Sequence, residues 1–234
     1  MRRGRVVAVL GAESTGKTTL VETLARELIA QGHDVATVPE ALRQWCDERG
    51  RTPQAHEQAA LAQEQVDRIA QAAAQHALVL ADTTALTTAV YSDLLFQDRS
   101  LYEMALRQQA RYDLTLLTAL DLAWVADGLQ RDGPHVREPV DALFREALQS
   151  AGLGFAVVAG RGEQRTRHAM AVVSHMLDAP LRSERAADSP RWRWVCGRCG
   201  DGDCEQHWLL GRDASPSVRD GARAAQDAGD GRED

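Results

Sequence analysis

Long hydrophobic runs are missing from this chain of 234 residues. No stretch approaches the roughly 18 apolar residues that a membrane-spanning helix needs. Behind Arg2 and Arg3 the first apolar run, residues 6–10, stops at Gly11, too short for the hydrophobic centre of a secretion signal. A cytoplasmic protein without a membrane partner is therefore expected. Positive charge is also in deficit: 27 Lys and Arg stand against 34 Asp and Glu, a formal charge of −7. That balance argues against a broad cationic surface able to clamp a nucleic-acid backbone, so nucleic acid is not an expected partner. Scarcest among the basic residues is lysine, which occurs once, at Lys17. Aromatic residues make up only 5%, yet 44% of the chain is hydrophobic and 26% charged, the make-up of a soluble globular domain. The length suits one such domain plus an appendage.

Cysteine is rare too, and its placement is informative. Three of the four cysteines, Cys196, Cys199 and Cys204, crowd together beside His207. This is metal-ligand spacing and not a disulfide framework, and it fits a reducing compartment. Three thiolates and one imidazole can close a tetrahedral Zn²⁺ site, and four protein ligands would make that zinc structural. Trp192, Trp194 and Trp208 are expected to pack around it. Unliganded thiols are the alternative.

Residues 6–10 form a β-branched apolar run that reads as a strand buried on both faces. A small-residue loop follows, and then Leu20, Leu24, Leu28 and Ile29 recur at the period of an amphipathic helix over residues 17–29, which Gly32 is placed to end. The pattern predicts further strands at residues 35–38, 78–81, 114–120 and 155–159, and helices from Thr52 and Pro53 to Gln75 and near residues 100–111, 139–151 and 163–177. Strands alternating with helices imply an α/β fold whose parallel sheet is covered by helices on both faces. The expected organisation is a domain at residues 1–178, a linker at 179–190, a zinc-binding module at 191–212 and a disordered tail at 213–234.

Between the first strand and the first helix stand Gly11, Ala12, Glu13, Ser14, Thr15, Gly16, Lys17 and Thr18, followed by Thr19. This is the spacing G-x-x-x-x-G-K-[ST] of a phosphate-binding loop. Glycine permits the backbone conformations that turn successive N–H groups toward a phosphate, and the helix N-terminus adds its positive dipole end. Lys17 would reach the β- and γ-phosphates of ATP, and the Thr18 hydroxyl would bind Mg²⁺. Asp82 ends the third strand, where a carboxylate either assists Mg²⁺ or caps the next helix. Glu40 follows the second strand and either accepts a proton from a substrate hydroxyl or is a solvated carboxylate. Arg131 and Arg137, in or next to a turn-rich segment, would stabilise charge on the migrating phosphoryl group if that segment closes as a lid, and otherwise belong to a surface loop.

The chain resembles the NadR-type ribosylnicotinamide kinase domain and related small P-loop ATPases over roughly residues 5–177. The resemblance rests on the phosphate loop, on Asp82-Thr83-Thr84-Ala85-Leu86-Thr87-Thr88, and on Tyr112-Asp113 leading a strand into Asp121-Leu122-Ala123-Trp124-Val125-Ala126-Asp127-Gly128-Leu129. It implies a kinase-like P-loop NTPase fold, use of ATP and Mg²⁺, and phosphoryl transfer to a nucleoside-like acceptor, nicotinamide riboside in particular. It further implies that Asp121, Trp124 and Asp127 lie near the acceptor or the lid. Because the sequence opens at the phosphate-loop strand, the adenylyltransferase and helix-turn-helix parts found with this domain elsewhere are not expected. The competing expectation is a regulatory ATPase or switch, whose nucleotide state controls a macromolecular partner.

Overall fold

The computed structural model describes residues 3–125 and 133–178. The linker, the Cys196, Cys199, Cys204 and His207 cluster, the tail, Arg131 and Asp127 all lie outside the described residues. Five strands, β1 (Arg5–Leu10), β2 (Val35–Val38), β3 (Leu78–Asp82), β4 (Leu114–Thr118) and β5 (Ala156–Val158), form one sheet in the order β2-β3-β1-β4-β5. Every pairing is parallel. Seven α-helices accompany them among the described residues: α1 (Lys17–Ala30), α2 (Ala41–Arg49), α3 (Gln58–Gln75), α4 (Ala85–Phe96), α5 (Tyr102–Gln109), α6 (Arg137–Ser150) and α7 (Gly162–Asp178).

Strand β1 is central because its side chains from Val6 to Leu10 are all apolar and fully buried. Alternation along the strand sends Val7 and Val9 to one face, where Leu20, Leu24 and Leu28 of α1 and Ala169 and Val173 of α7 cover them. Val6 and Ala8 meet Ile69 and Ala73 of α3 on the other face. Leu10 joins Leu86 and Val90 of α4 and Val140 and Phe144 of α6. Burying each of these larger side chains contributes about 1.5–3 kcal/mol. Register then fixes the rim: Val9 lies opposite both Asp82 and Leu116, so the loop after β1 emerges between the ends of β3 and β4. This is the crevice, at the carboxyl ends of parallel strands, where open α/β sheets receive ligands.

The predicted strands and the first helix recur with small shifts in their ends. Three features differ. The expected helix start at Thr52 and Pro53 is displaced: a single 3₁₀ turn, Ala55–Glu57, precedes α3, and Glu57 accepts the Gln54 N–H at 2.8 Å in a capping box. The Arg51 guanidinium, with that backbone bond, holds the Glu57 carboxyl down at about 2. Helix α2 lies between β2 and α3, where no element was predicted; it buries Ala41 and Cys46, and Trp45 lies under the guanidiniums of Arg49 and Arg51, each 4.8 Å from its ring centroid. Helix α4 is a further addition. It packs against α3, α5 and α6, so apolar or small residues line most of its circumference and the 3.6-residue alternation is lost.

Candidate functional site

The loop between β1 and α1 owes its shape to both of its glycines. Gly11 has φ +145°, and a Cβ there would stand 2.0 Å from the Thr118 hydroxyl. Gly16 has φ +73° and faces Leu122. Thr118, at the end of β4, lies within hydrogen-bond distance of the Leu10 carbonyl at 3.1 Å and of the Thr15 hydroxyl at 2.7 Å. Thr15 in turn donates to the Ala12 carbonyl at 2.7 Å. Lys17 folds over the loop, its Nζ donating to the same Ala12 carbonyl at 2.9 Å. Gly16 caps α1 without a side-chain bond, so the first amides of the helix are not consumed by a capping side chain.

The two groups expected at Mg²⁺ come together. Thr18 Oγ1 donates to Asp82 Oδ2 at 2.5 Å. Asp82 is only 5% exposed, and its Oδ1 has no hydrogen-bond partner among the described residues. A buried carboxylate with one oxygen unmatched, beside a hydroxyl, is a donor set suited to a hard divalent cation. The backbone carries strain at the same point: Thr83, a β-branched residue, has φ +72° immediately after Asp82. Thr84 then caps α4 by accepting the Leu86 N–H and donates to Gln109 Oε1 at 2.8 Å, while the Gln109 amide reaches Thr115 at 2.9 Å.

Glu40 stands on the neighbouring rim, at the N-cap of α2, with Arg43 at 3.9 Å. Its position is set by the buried Gln65 of α3. Gln65 accepts the Ala41 N–H at 2.8 Å and donates to the carbonyls of Pro39 and Thr83, both at 3.4 Å. One amide thus ties the Glu40 turn to the turn after Asp82. Arg137, in the first turn of α6, is 8% exposed, and its Nε and Nη2 have no partner among the described residues. It lies one turn before Val140, which packs in the same cluster as Ala12 and Ala85.

Asp121 meets a different set of groups from Asp82. Its Oδ2 accepts the Gly160 N–H at 2.5 Å and its Oδ1 the Arg165 guanidinium at 3.2 Å. Burial pushes the Arg165 pKa down, and Asp121 opposes that shift. Next along, Trp124 is half-buried, and Val125 joins the phosphate loop through Ser14, whose hydroxyl donates to the Val125 carbonyl at 2.7 Å. Tyr112 and Asp113 lie at the amino end of the sheet, away from this rim. Asp113 accepts the Val6 N–H at 2.9 Å, and burial pushes the Tyr112 phenol up to about 12.

Pattern reading passed over Thr118, Gln65 and Arg165. Thr118 and Gln65 carry no motif; they matter because the fold delivers them to a loop distant in sequence. Arg165 did carry a signal, since it shares the buried stripe of α7 with Ala169 and Val173 at four-residue spacing. A charge on an apolar face asks for a buried partner.

A parallel sheet with this loop at its central strand, a hydroxyl and a carboxylate meeting beside it, and helices on both faces define a P-loop protein of the kinase-like α/β class. The model of the AAA domain family matches residues 6–165, and the chain belongs to that family. Among solved structures it is similar to the crystal structure of a NadR protein in complex with NR, with a TM-score of 0.62 and 22% identity. That likeness covers 76% of this chain and 52% of the other, so the chain spans about half the length of that protein. Comparison with the curated proteins gives no match. Among the described residues no helix is long and apolar enough to cross a membrane, and no group of three or more His, Cys, Asp and Glu is placed to hold a metal ion.

Proposed function

We propose that this protein transfers the γ-phosphoryl group of ATP to a hydroxyl of a nucleoside-like small molecule, with nicotinamide riboside as the favoured acceptor. The observation that carries the reading is the Thr18 to Asp82 contact beside the phosphate loop. In this reading Gly11 to Thr19 cradle the phosphates and Lys17 faces the β- and γ-oxygens. Thr18 and Asp82 hold Mg²⁺, which when bound neutralises charge on the β- and γ-phosphates. Glu40 accepts the acceptor's hydroxyl proton. Arg137, a buried guanidinium with unmatched donors among the described residues, is suited to the charge of the migrating group, and Arg131 is assigned the same role from the sequence. Trp124 and Asp127 border the acceptor. The NR named with the similar structure favours nicotinamide riboside.

The test is to incubate the full chain with ATP, Mg²⁺ and single nucleosides, nicotinamide riboside among them, and to look for acceptors that gain one phosphoryl group by mass. If ATP yields only ADP and phosphate with every acceptor, kinase activity is ruled out. The regulatory ATPase, with which the AAA domain family also fits, then takes its place.

Glu40→Gln is expected to lower kcat by about 100-fold while ADP affinity stays within a few-fold, because a general base acts on the acceptor and not on the nucleotide. Loss of ADP binding in this variant, measured by calorimetry, would remove Glu40 from the acceptor side.

Cys196, Cys199, Cys204 and His207 are proposed to hold one structural zinc, a reading supported by their spacing. Metal analysis of chain purified without chelator is expected to give about one zinc per chain. The double variant Cys199→Ser/Cys204→Ser is expected to lose it and keep ADP binding. Zinc near zero in the parent chain, or retained in the variant, counts against the site.

A further inference from the structure

Phosphoryl transfer as proposed leaves one buried cation without a task. Arg165 of α7 is 5% exposed, and both of its terminal nitrogens donate to groups at the carboxyl rim of the sheet. Nη2 donates to the carbonyl of Thr15, in the phosphate loop, at 2.5 Å. Nη1 reaches Asp121 Oδ1 at 3.2 Å and the Gly160 carbonyl at 3.4 Å. Asp121 completes the arrangement by accepting the Gly160 N–H. One guanidinium therefore joins the phosphate loop, the segment after β4 and the turn before α7.

The bond to Thr15 has a consequence for its neighbour. A trans peptide is planar, so the Thr15 carbonyl and the Gly16 N–H point in opposite directions. A cation that holds the carbonyl against α7 turns the Gly16 N–H away from α7. Gly16, at φ +73°, belongs to the one residue type that adopts other backbone conformations with little penalty, so this peptide has most to gain from an external brace. The brace is fixed in turn, because Asp121 engages the other terminal nitrogen, Nη1, and is itself anchored on Gly160.

We propose that Arg165, oriented by Asp121, is a positioning residue that aims the Gly16 amide at a bound phosphate and so sets affinity for the polyphosphate of the nucleotide. The inference rests on the reading of this loop as a nucleotide site. It gives Asp121 a role through the loop and not through the acceptor.

Calorimetric titration of the full chain with ADP, and separately with inorganic tripolyphosphate, tests this. Arg165→Lys and Asp121→Asn are each expected to raise the Kd for both ligands by about tenfold or more, as expected for a misdirected bond to a charged group. The KM for ATP should rise with them while the KM for the acceptor holds. The double variant should be little worse than the weaker single variant, because both act on one peptide. Where Arg165→Lys does not fold, Asp121→Asn carries the test, since it keeps the shape of the side chain and an acceptor for Gly160.

If the parent chain binds neither ligand, the nucleotide reading fails and the inference fails with it. If the parent binds both and the variants bind them equally well, the nucleotide reading stands and the positioning role is overturned, even if the variants melt at lower temperature. A rise in acceptor KM alone in Asp121→Asn overturns it as well.

Discussion

Lys17→Ala is expected to lower ATP turnover by about 100- to 1000-fold and to leave the fold intact. The size follows from what the ammonium does when nucleotide is bound: it is a fixed positive charge at oxygens whose negative charge changes in the transition state, and removing one such donor costs two to three orders of magnitude. The small effect on folding follows from the kind of contact it makes in the ligand-free chain, such as the hydrogen bond from Nζ to the Ala12 carbonyl. That carbonyl also accepts from Thr15, so it is not orphaned by the substitution. Net loss of one such bond is worth about 0.5–1.5 kcal/mol. Thermal melting and steady-state turnover on the same preparation separate the two effects. Because no other lysine exists in the chain, a lysine-directed reagent has one side-chain target, and protection of that target by ADP would report occupancy of the loop independently of turnover. Turnover unchanged in Lys17→Ala would overturn the assignment of the loop to phosphate.

How far these groups could be read from the chain depends on whether their partners lie nearby in sequence. Strand, loop and first helix were legible because β1 is apolar throughout and the loop that follows obeys a fixed spacing. Asp82 was legible for the same reason: it ends a fully buried strand, and rims of parallel sheets are where side chains meet ligands. Helix α4 was not, because burial on several sides removes the contrast on which periodicity depends. Helix α2 was not, because its inner face is marked over nine residues by Ala41, Leu42, Trp45 and Cys46 alone, little more than one turn of pattern, and its first turn is held by Gln65 from α3. Thr118 illustrates the remaining limit. Nothing local marks a threonine at a strand end as the group that forbids a side chain at Gly11, more than 100 residues earlier, yet the parallel pairing of β1 with β4 brings them together.

Asp82→Asn is expected to remove about 100-fold or more of the activity, to shift the Mg²⁺ dependence to higher concentration, and not to lower the melting temperature of the ligand-free chain. The three outcomes share one cause. The carboxylate is buried, with one oxygen on Thr18 and the other without a hydrogen-bond partner among the described residues, so its charge is not fully compensated by neighbouring donors. Replacing it with a neutral amide of the same shape keeps an acceptor for Thr18 and relieves part of the desolvation cost. Stability is therefore kept or raised. The same change takes a negative charge from the position proposed for a divalent cation, and an amide oxygen is a weaker ligand for such an ion than a carboxylate. Higher Mg²⁺ should then recover part of the lost rate. Sites tuned to bind a charged ligand commonly trade resting stability for function in this way. Melting curves and Mg²⁺ titrations of turnover, made side by side, decide it. A variant that melts lower, with its Mg²⁺ midpoint unchanged, would make Asp82 a structural cap for the turn into α4 and would leave the cation to other residues.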